Sequence, residues 1–96
     1  MIRHIVLFKF RNGLSEESRK KLVAALRDLK KSISLVKELE VGADVAGKPN
    51  SYDIALNSVF ETLDDVERYA VHPDHLKVVE MVGELCESSV KVDFEF

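Results

Sequence analysis

The chain has no tryptophan, one cysteine, two prolines and four glycines in its 96 residues. A lone Cys86 cannot close an intramolecular disulfide, and no second thiol stands beside it in a redox pair or a multi-cysteine zinc pattern. Gly13, Gly42, Gly47 and Gly83 are isolated, so no glycine-rich loop cradles a phosphate. No apolar run approaches the roughly 20 residues that span a bilayer. The first apolar stretch, residues 5–10, is broken by Lys9 and is too short for a secretory signal core. The expectation is a cytoplasmic protein without a membrane segment. Basic residues are outnumbered, 14 against 17 acidic, for a net charge of −3. Lys20-Lys21 and Lys30-Lys31 share their segment with Glu16, Glu17 and Asp28, which makes a solvated face rather than a nucleic-acid surface.

What remains is one ordinary globular domain, residues 1–96, with 46% hydrophobic and 32% charged residues. A chain of this size buries roughly 60–65% of its unfolded surface, enough for one core. Residues 2–10 read as a strand. Ile2, His4, Val6, Phe8 and Phe10 lie on one face; Arg3, Ile5, Leu7 and Lys9 lie on the other. Both faces are apolar at the centre, as in a strand covered on both sides. Asn12-Gly13 ends it in a turn. Ser15 caps a helix over 16–31, with Leu22, Ala25, Leu26, Leu29 and Ile33 at helical spacing.

Residues 35–45 read as a second strand and 52–60 as a third, joined through Gly47-Lys48-Pro49-Asn50-Ser51 as a hairpin. Thr62 precedes a short helix over 63–70. His72-Pro73 interrupts it, because a residue before proline avoids the helical region. A further helix starts at Pro73 and runs to about Glu87, with Leu76, Val79, Val82, Leu85 and Cys86 on or near one face. Residues 88–96 alternate strictly as a last strand, Val90, Val92, Phe94 and Phe96 against Ser89, Lys91, Asp93 and Glu95.

The order β-α-β-β-α-β predicts an α+β, ferredoxin-like protomer: a four-stranded antiparallel sheet with its helices on one face. Ile5 and Leu7, with Ala55 and Val59, then lie on the uncovered face. Leaving several such side chains wet forfeits several kcal/mol at about 25 cal/mol per Å². A second copy laid sheet against sheet recovers it, so the predicted partner is the chain itself.

Ile2-Arg3-His4-Ile5-Val6-Leu7-Phe8-Lys9-Phe10, Glu40-Val41-Gly42-Ala43-Asp44, Tyr52-Asp53-Ile54-Ala55-Leu56 with Phe60-Glu61, and Val92-Asp93-Phe94 resemble the strands of the stress-responsive A/B barrel (Dabb) family. Tyr69-Ala70-Val71-His72-Pro73-Asp74-His75 resembles that family's most distinctive segment, Tyr-x-x-His-Pro-x-His. The resemblance implies a dimeric α/β barrel. It implies little about chemistry, since many members have no assigned activity. Some plant members are linked to stress tolerance, and one plant branch comprises polyketide cyclases. Carried over position by position, the cyclase pattern makes His75 the general base that removes a proton alpha to a carbonyl. It makes Tyr69 the hydrogen-bond donor to the developing oxyanion and puts His4 in the same pocket. Bulky aromatics of the cyclases are replaced here by Leu22, Val23 and Leu26, and their late tryptophan by Cys86. Haem-degrading relatives of the barrel depend on a tryptophan that this chain lacks.

The expected pocket is apolar, lies between sheet and helices, and holds a small apolar molecule. Its expected lining is His4, Val6, Phe8, Leu22, Leu26, Tyr69, Leu76, Val79 and Cys86, with His72 beside it. The same residues also read as a packed core, with His72-Pro73-x-His75 as a helix-start motif. A third reading is a barrel that serves assembly and binds nothing. No cofactor is implied. No metal is implied either: His72 and His75 are three apart, but no further Cys or His completes a set. Cys86 reads as a small buried hydrophobe.

Overall fold

β-branched and aromatic residues with period-two alternation form the central strand β1 (Ile2–Phe10) in the computed structural model, which describes residues 1–96. Helix α1 (Glu16–Ser32) begins where the Ser15 side chain accepts the Ser18 amide, and Glu16 and Glu17 complement its N-terminal dipole. It buries Leu22, Leu26 and Leu29 against the sheet. Strands β2 (Glu38–Ala43) and β3 (Ile54–Phe60) follow as the expected hairpin. Helix α2 (Leu63–Ala70) starts on the Thr62 cap. Helix α3 (Pro73–Leu85) starts on His72, whose ring accepts the Asp74 amide, with proline in its first turn. Strand β4 (Cys86–Glu95) closes the fold. The sheet order is β2-β3-β1-β4 with every pair antiparallel, which is the ferredoxin-like arrangement. No helix is long and apolar enough to cross a membrane.

Several boundaries differ from the sequence reading. β2 starts at Glu38, not at residue 35, because the chain needs Ile33, Leu35 and Val36 to turn from helix to sheet. Ile33 and Val36 are buried in the core there rather than paired in a strand. β3 starts at Ile54 rather than 52. α3 stops at Leu85, and β4 starts at the next residue; Cys86 ends one element and opens the other.

The face of α3 also differs. Val78 is the buried residue, with Met81, Val82 and Leu85 packed partly against the core, whereas Leu76 and Val79 are 51% and 48% exposed. The helix is apolar on much of its circumference, so its period alone did not select the inward stripe.

Register assigns the two faces of β4. Val92 lies opposite Ile5, Val90 opposite Leu7 and Phe94 opposite Arg3, so all three apolar residues share the uncovered face. They stand 52%, 47% and 43% exposed. The polar residues Ser89, Lys91 and Asp93 therefore point toward the helices. A half-covered strand usually does the reverse. The inversion leaves an apolar stripe on the open face and a polar one under the helices. On the same outer face Ala55 is exposed, while Val59 is buried opposite Arg3 and Glu38.

Candidate functional site

The polar wall of β4 and the break between α2 and α3 meet at a cavity of about 200 Å³. β1 contributes His4, Val6 and Phe8; α1 contributes Leu26 and Leu29; β3 contributes Leu56. The helical side is Val66, Tyr69 and Ala70 of α2 with His75, Val78, Val79 and Val82 of α3. Ser89 and Lys91 of β4 complete it. The cavity is therefore apolar along most of its wall.

His4 is 7% exposed. Its Nδ1 lies 2.5 Å from Asp93 Oδ1, a contact made possible by direct cross-strand pairing of the two residues. A carboxylate only accepts, so the proton of that bond sits on Nδ1 and Nε2 is left as the ring's second site. The Ser58 hydroxyl donates to the His4 backbone carbonyl at 3.0 Å, anchoring the same strand position from β3.

Tyr69 packs between three rings. Phe60 lies 4.9 Å from it, His75 4.3 Å and His4 6.2 Å, centroid to centroid. Burial pushes its pKa up from 10.0 to about 12, so the hydroxyl is a proton donor at neutral pH.

His75 is half-buried. Its Nδ1 lies 3.0 Å from the carbonyl oxygen of Ala70, one of the acceptors left over at the end of α2. Nδ1 must therefore carry the proton and donate it, and Nε2 keeps the lone pair. Desolvation holds the imidazole below its ordinary pKa of 6.5, against a raising effect of the Ala70 bond; the charges of His4, His72 and Lys91 lower it further. The neutral, basic form is thus the resting one. The bond also ties α3 to the end of α2, so His75 serves the fold as well as the cavity.

Of the residues expected from sequence, His4, Val6, Phe8, Leu26, Tyr69, His75 and Val79 surround this cavity, and four do not. Leu22 is fully buried one turn before Leu26, inside the core. Cys86 pairs with Phe10 at the far end of the sheet. Burial pushes its thiol pKa up, Asp53 adds to that and Arg11 opposes it, so it rests as a neutral thiol. Leu76 lies on the outer side of α3, and the His72 ring is engaged as the cap of that helix. Leu29, Leu56, Val66, Ala70, Val78, Val82, Ser89 and Lys91 were missed, as was Asp93 behind His4. Strict alternation in β4 was the available signal for the last three, but it did not say which face looked inward.

A larger concavity of about 570 Å³ lies between α1 and the β2–β3 connection. Four of its polar side chains are committed to the fold, while Glu16 and Lys20 stand in the wall without a partner. Arg19 donates to the Leu14 carbonyl and Arg27 to the Val41 carbonyl, while Asp53 accepts the Phe10 amide and Asp44 the Gly47 amide. The smaller cavity is the one that brings imidazoles and a phenol together.

Fold and site together define a ferredoxin-like domain with a helix-covered cavity and an open sheet face. The family model of the stress responsive A/B barrel domain matches residues 2–96, and the chain belongs to that family. An uncharacterised protein of Streptomyces coelicolor is 35% identical over 98 residues, covering all of both chains. A crystal structure of a dimeric, ferredoxin-like protein of unknown function from Bacteroides fragilis is 37% identical, with a TM-score of 0.85 over 99% of this chain and 95% of that one. The olivetolic acid cyclase of Cannabis sativa is 23% identical over 77 residues, 78% of this chain and 76% of the enzyme.

Proposed function

We propose that this protein is a homodimer, joined through its sheet faces, in which each protomer binds a small and largely apolar carbonyl compound in the cavity under α2 and α3. The observation that carries the proposal is the convergence of two imidazoles and a phenol in the wall of a mostly apolar cavity. At about 200 Å³ it is somewhat larger than the roughly 150 Å³ engineered cavity that admits benzene, which suits a ligand of one ring and a short substituent. Dimerisation is supported by the half-exposed Val90, Val92 and Phe94 and by the dimeric Bacteroides relative.

A second reading, that the protein is an enzyme of the cyclase or isomerase kind, is favoured by one specific feature. His75 presents a neutral ring with its Nδ1 proton committed to Ala70, so its open nitrogen is a base. Nε2 would take a proton alpha to the ligand carbonyl, and the Tyr69 hydroxyl would donate to the oxygen on which charge develops. His4, held by Asp93, would orient the ligand. The cyclase relative lends this reading support at the level of fold.

Acetophenone tests both parts. It should shift the NMR signals of Tyr69, Val78 and Val79, and the protein should accelerate exchange of its methyl protons in D2O. His75→Gln and Tyr69→Phe should slow that exchange while leaving the fold intact. Unmoved cavity signals would refute the pocket; exchange as fast in H75Q as in the natural protein would refute the base.

A further inference from the structure

Lys91 is the one charged side chain in the wall of the cavity, and no carboxylate lines it. The residue pairs with Val6 across the strands and so lies on the helix-facing side of β4, between Ser89 and Asp93. Asp93, the acidic group nearest in sequence on that face, is engaged by His4. The ion pairs of the protein join other residues, and Lys91 takes part in none of them. An ammonium with no ion-pair partner thus stands in the wall of a mostly apolar cavity, in a chain whose net charge is −3. Its long apolar stem can lie along the wall while the head meets both solvent and ligand. The Ser89 hydroxyl beside it supplies a second donor.

From this arrangement we infer that the ligand is a small amphipathic monocarboxylate. Its apolar body fills the space among Leu26, Val78 and Val82, and its carboxylate meets Lys91 and Ser89. A single ammonium is a point charge suited to one anionic group. This inference rests on the pocket proposed above and adds the charge of its occupant.

Phenylacetate and its uncharged isostere phenylacetamide are the probes, titrated into the dimer by calorimetry and by NMR of the cavity residues. Phenylacetate should bind about tenfold more tightly, the size of one charge-assisted hydrogen bond, and less so as salt rises. Lys91→Met should abolish the preference of phenylacetate over phenylacetamide; Lys91→Arg should retain it. Lys91→Met should also raise the His75 pKa measured from its ring resonances, since the Lys91 charge lowers it. This readout tests, independently of any ligand, whether the ammonium stands beside the cavity imidazole. If phenylacetamide and acetophenone bind but phenylacetate gains nothing, or if its advantage survives in K91M, the charge inference is overturned and the pocket stands. If none of the three probes moves the cavity signals, both fall.

Discussion

A lysine at position 92 should separate the two copies of this protein without unfolding either. Val92 is 52% exposed in the protomer, with Val90 at 47% and Phe94 at 43% beside it. Burying such a side chain completely is worth about 1.5–3 kcal/mol, so covering the exposed half gains about 1 kcal/mol each. Three on each protomer give about 6 kcal/mol for the pair, to which the half-buried Ile5 and Leu7 add. That gain is set against an association cost of at least about 4 kcal/mol, so the dimer has no large reserve. Val92→Lys removes about 1 kcal/mol of apolar burial per copy and forces an ammonium to leave water or bend out of the interface, at about 1–2 kcal/mol more. Twofold symmetry doubles the sum to about 4–6 kcal/mol, a dissociation constant raised by about 10³–10⁴. Light scattering and sedimentation velocity from about 500 µM to about 5 µM read the outcome directly. The natural protein should approach twice its 10.9 kDa chain mass at the top of that range, and V92K should stay at once that mass with its far-UV circular dichroism and a cooperative urea transition retained. Val71→Lys is the control: Val71 is 70% exposed, but at the end of α2, away from the sheet face, and its substitution should leave the dimer whole. A V92K protein that stays dimeric with the affinity of the natural chain would refute the sheet-face interface, as would dissociation by V71K alone.

The remaining two predictions concern stability. Burial keeps the His75 pKa below its ordinary 6.5, so the unfolded chain takes up a proton there at a pH where the folded chain does not. Stability contributed by this site is complete above pH 6.5 and declines as the pH falls from there through the folded value; His75→Gln, which can still donate to Ala70, should lack that decline. Urea unfolding of both proteins at several pH values measures the gap, and one that does not move toward the variant in acid would contradict the burial argument. Leu22 and Val79 should part company in the same assay. Leu22→Ala empties a fully buried position and should cost about 2–5 kcal/mol, whereas Val79→Ala trims a half-exposed one for under about 1 kcal/mol. Acetophenone affinity should respond to V79A, because only Val79 of the two touches the cavity.

Much of the fold is legible in the sequence. Period-two alternation located β1 at its true ends, Ser15 and Thr62 located the starts of α1 and α2, and His72-Pro73 located the break between α2 and α3. These are local effects, decided by backbone sterics and by which amides a nearby side chain can reach. Tyr69 and His75 are paired through the resemblance to the cyclases, and in the fold their rings meet across that break. The far side of the cavity is not legible in this way. Asp93 reaches His4 across 89 positions of chain, and Ser89 and Lys91 reach the cavity only because β4 pairs with β1 in one register.

The sequence by itself determined the elements, their order and the existence of an apolar layer that a lone protomer leaves uncovered, because each depends on neighbours within a few residues or on a repeat of fixed period. Tertiary structure alone decided which face of β4 looks inward and which stripe of α3 is buried. A strand's alternation is unchanged by turning it over, and a helix apolar on most sides offers several stripes. Only pairing to β1 and packing against α1 choose among them, and that choice sets Asp93 behind His4 and Lys91 in the wall of the cavity.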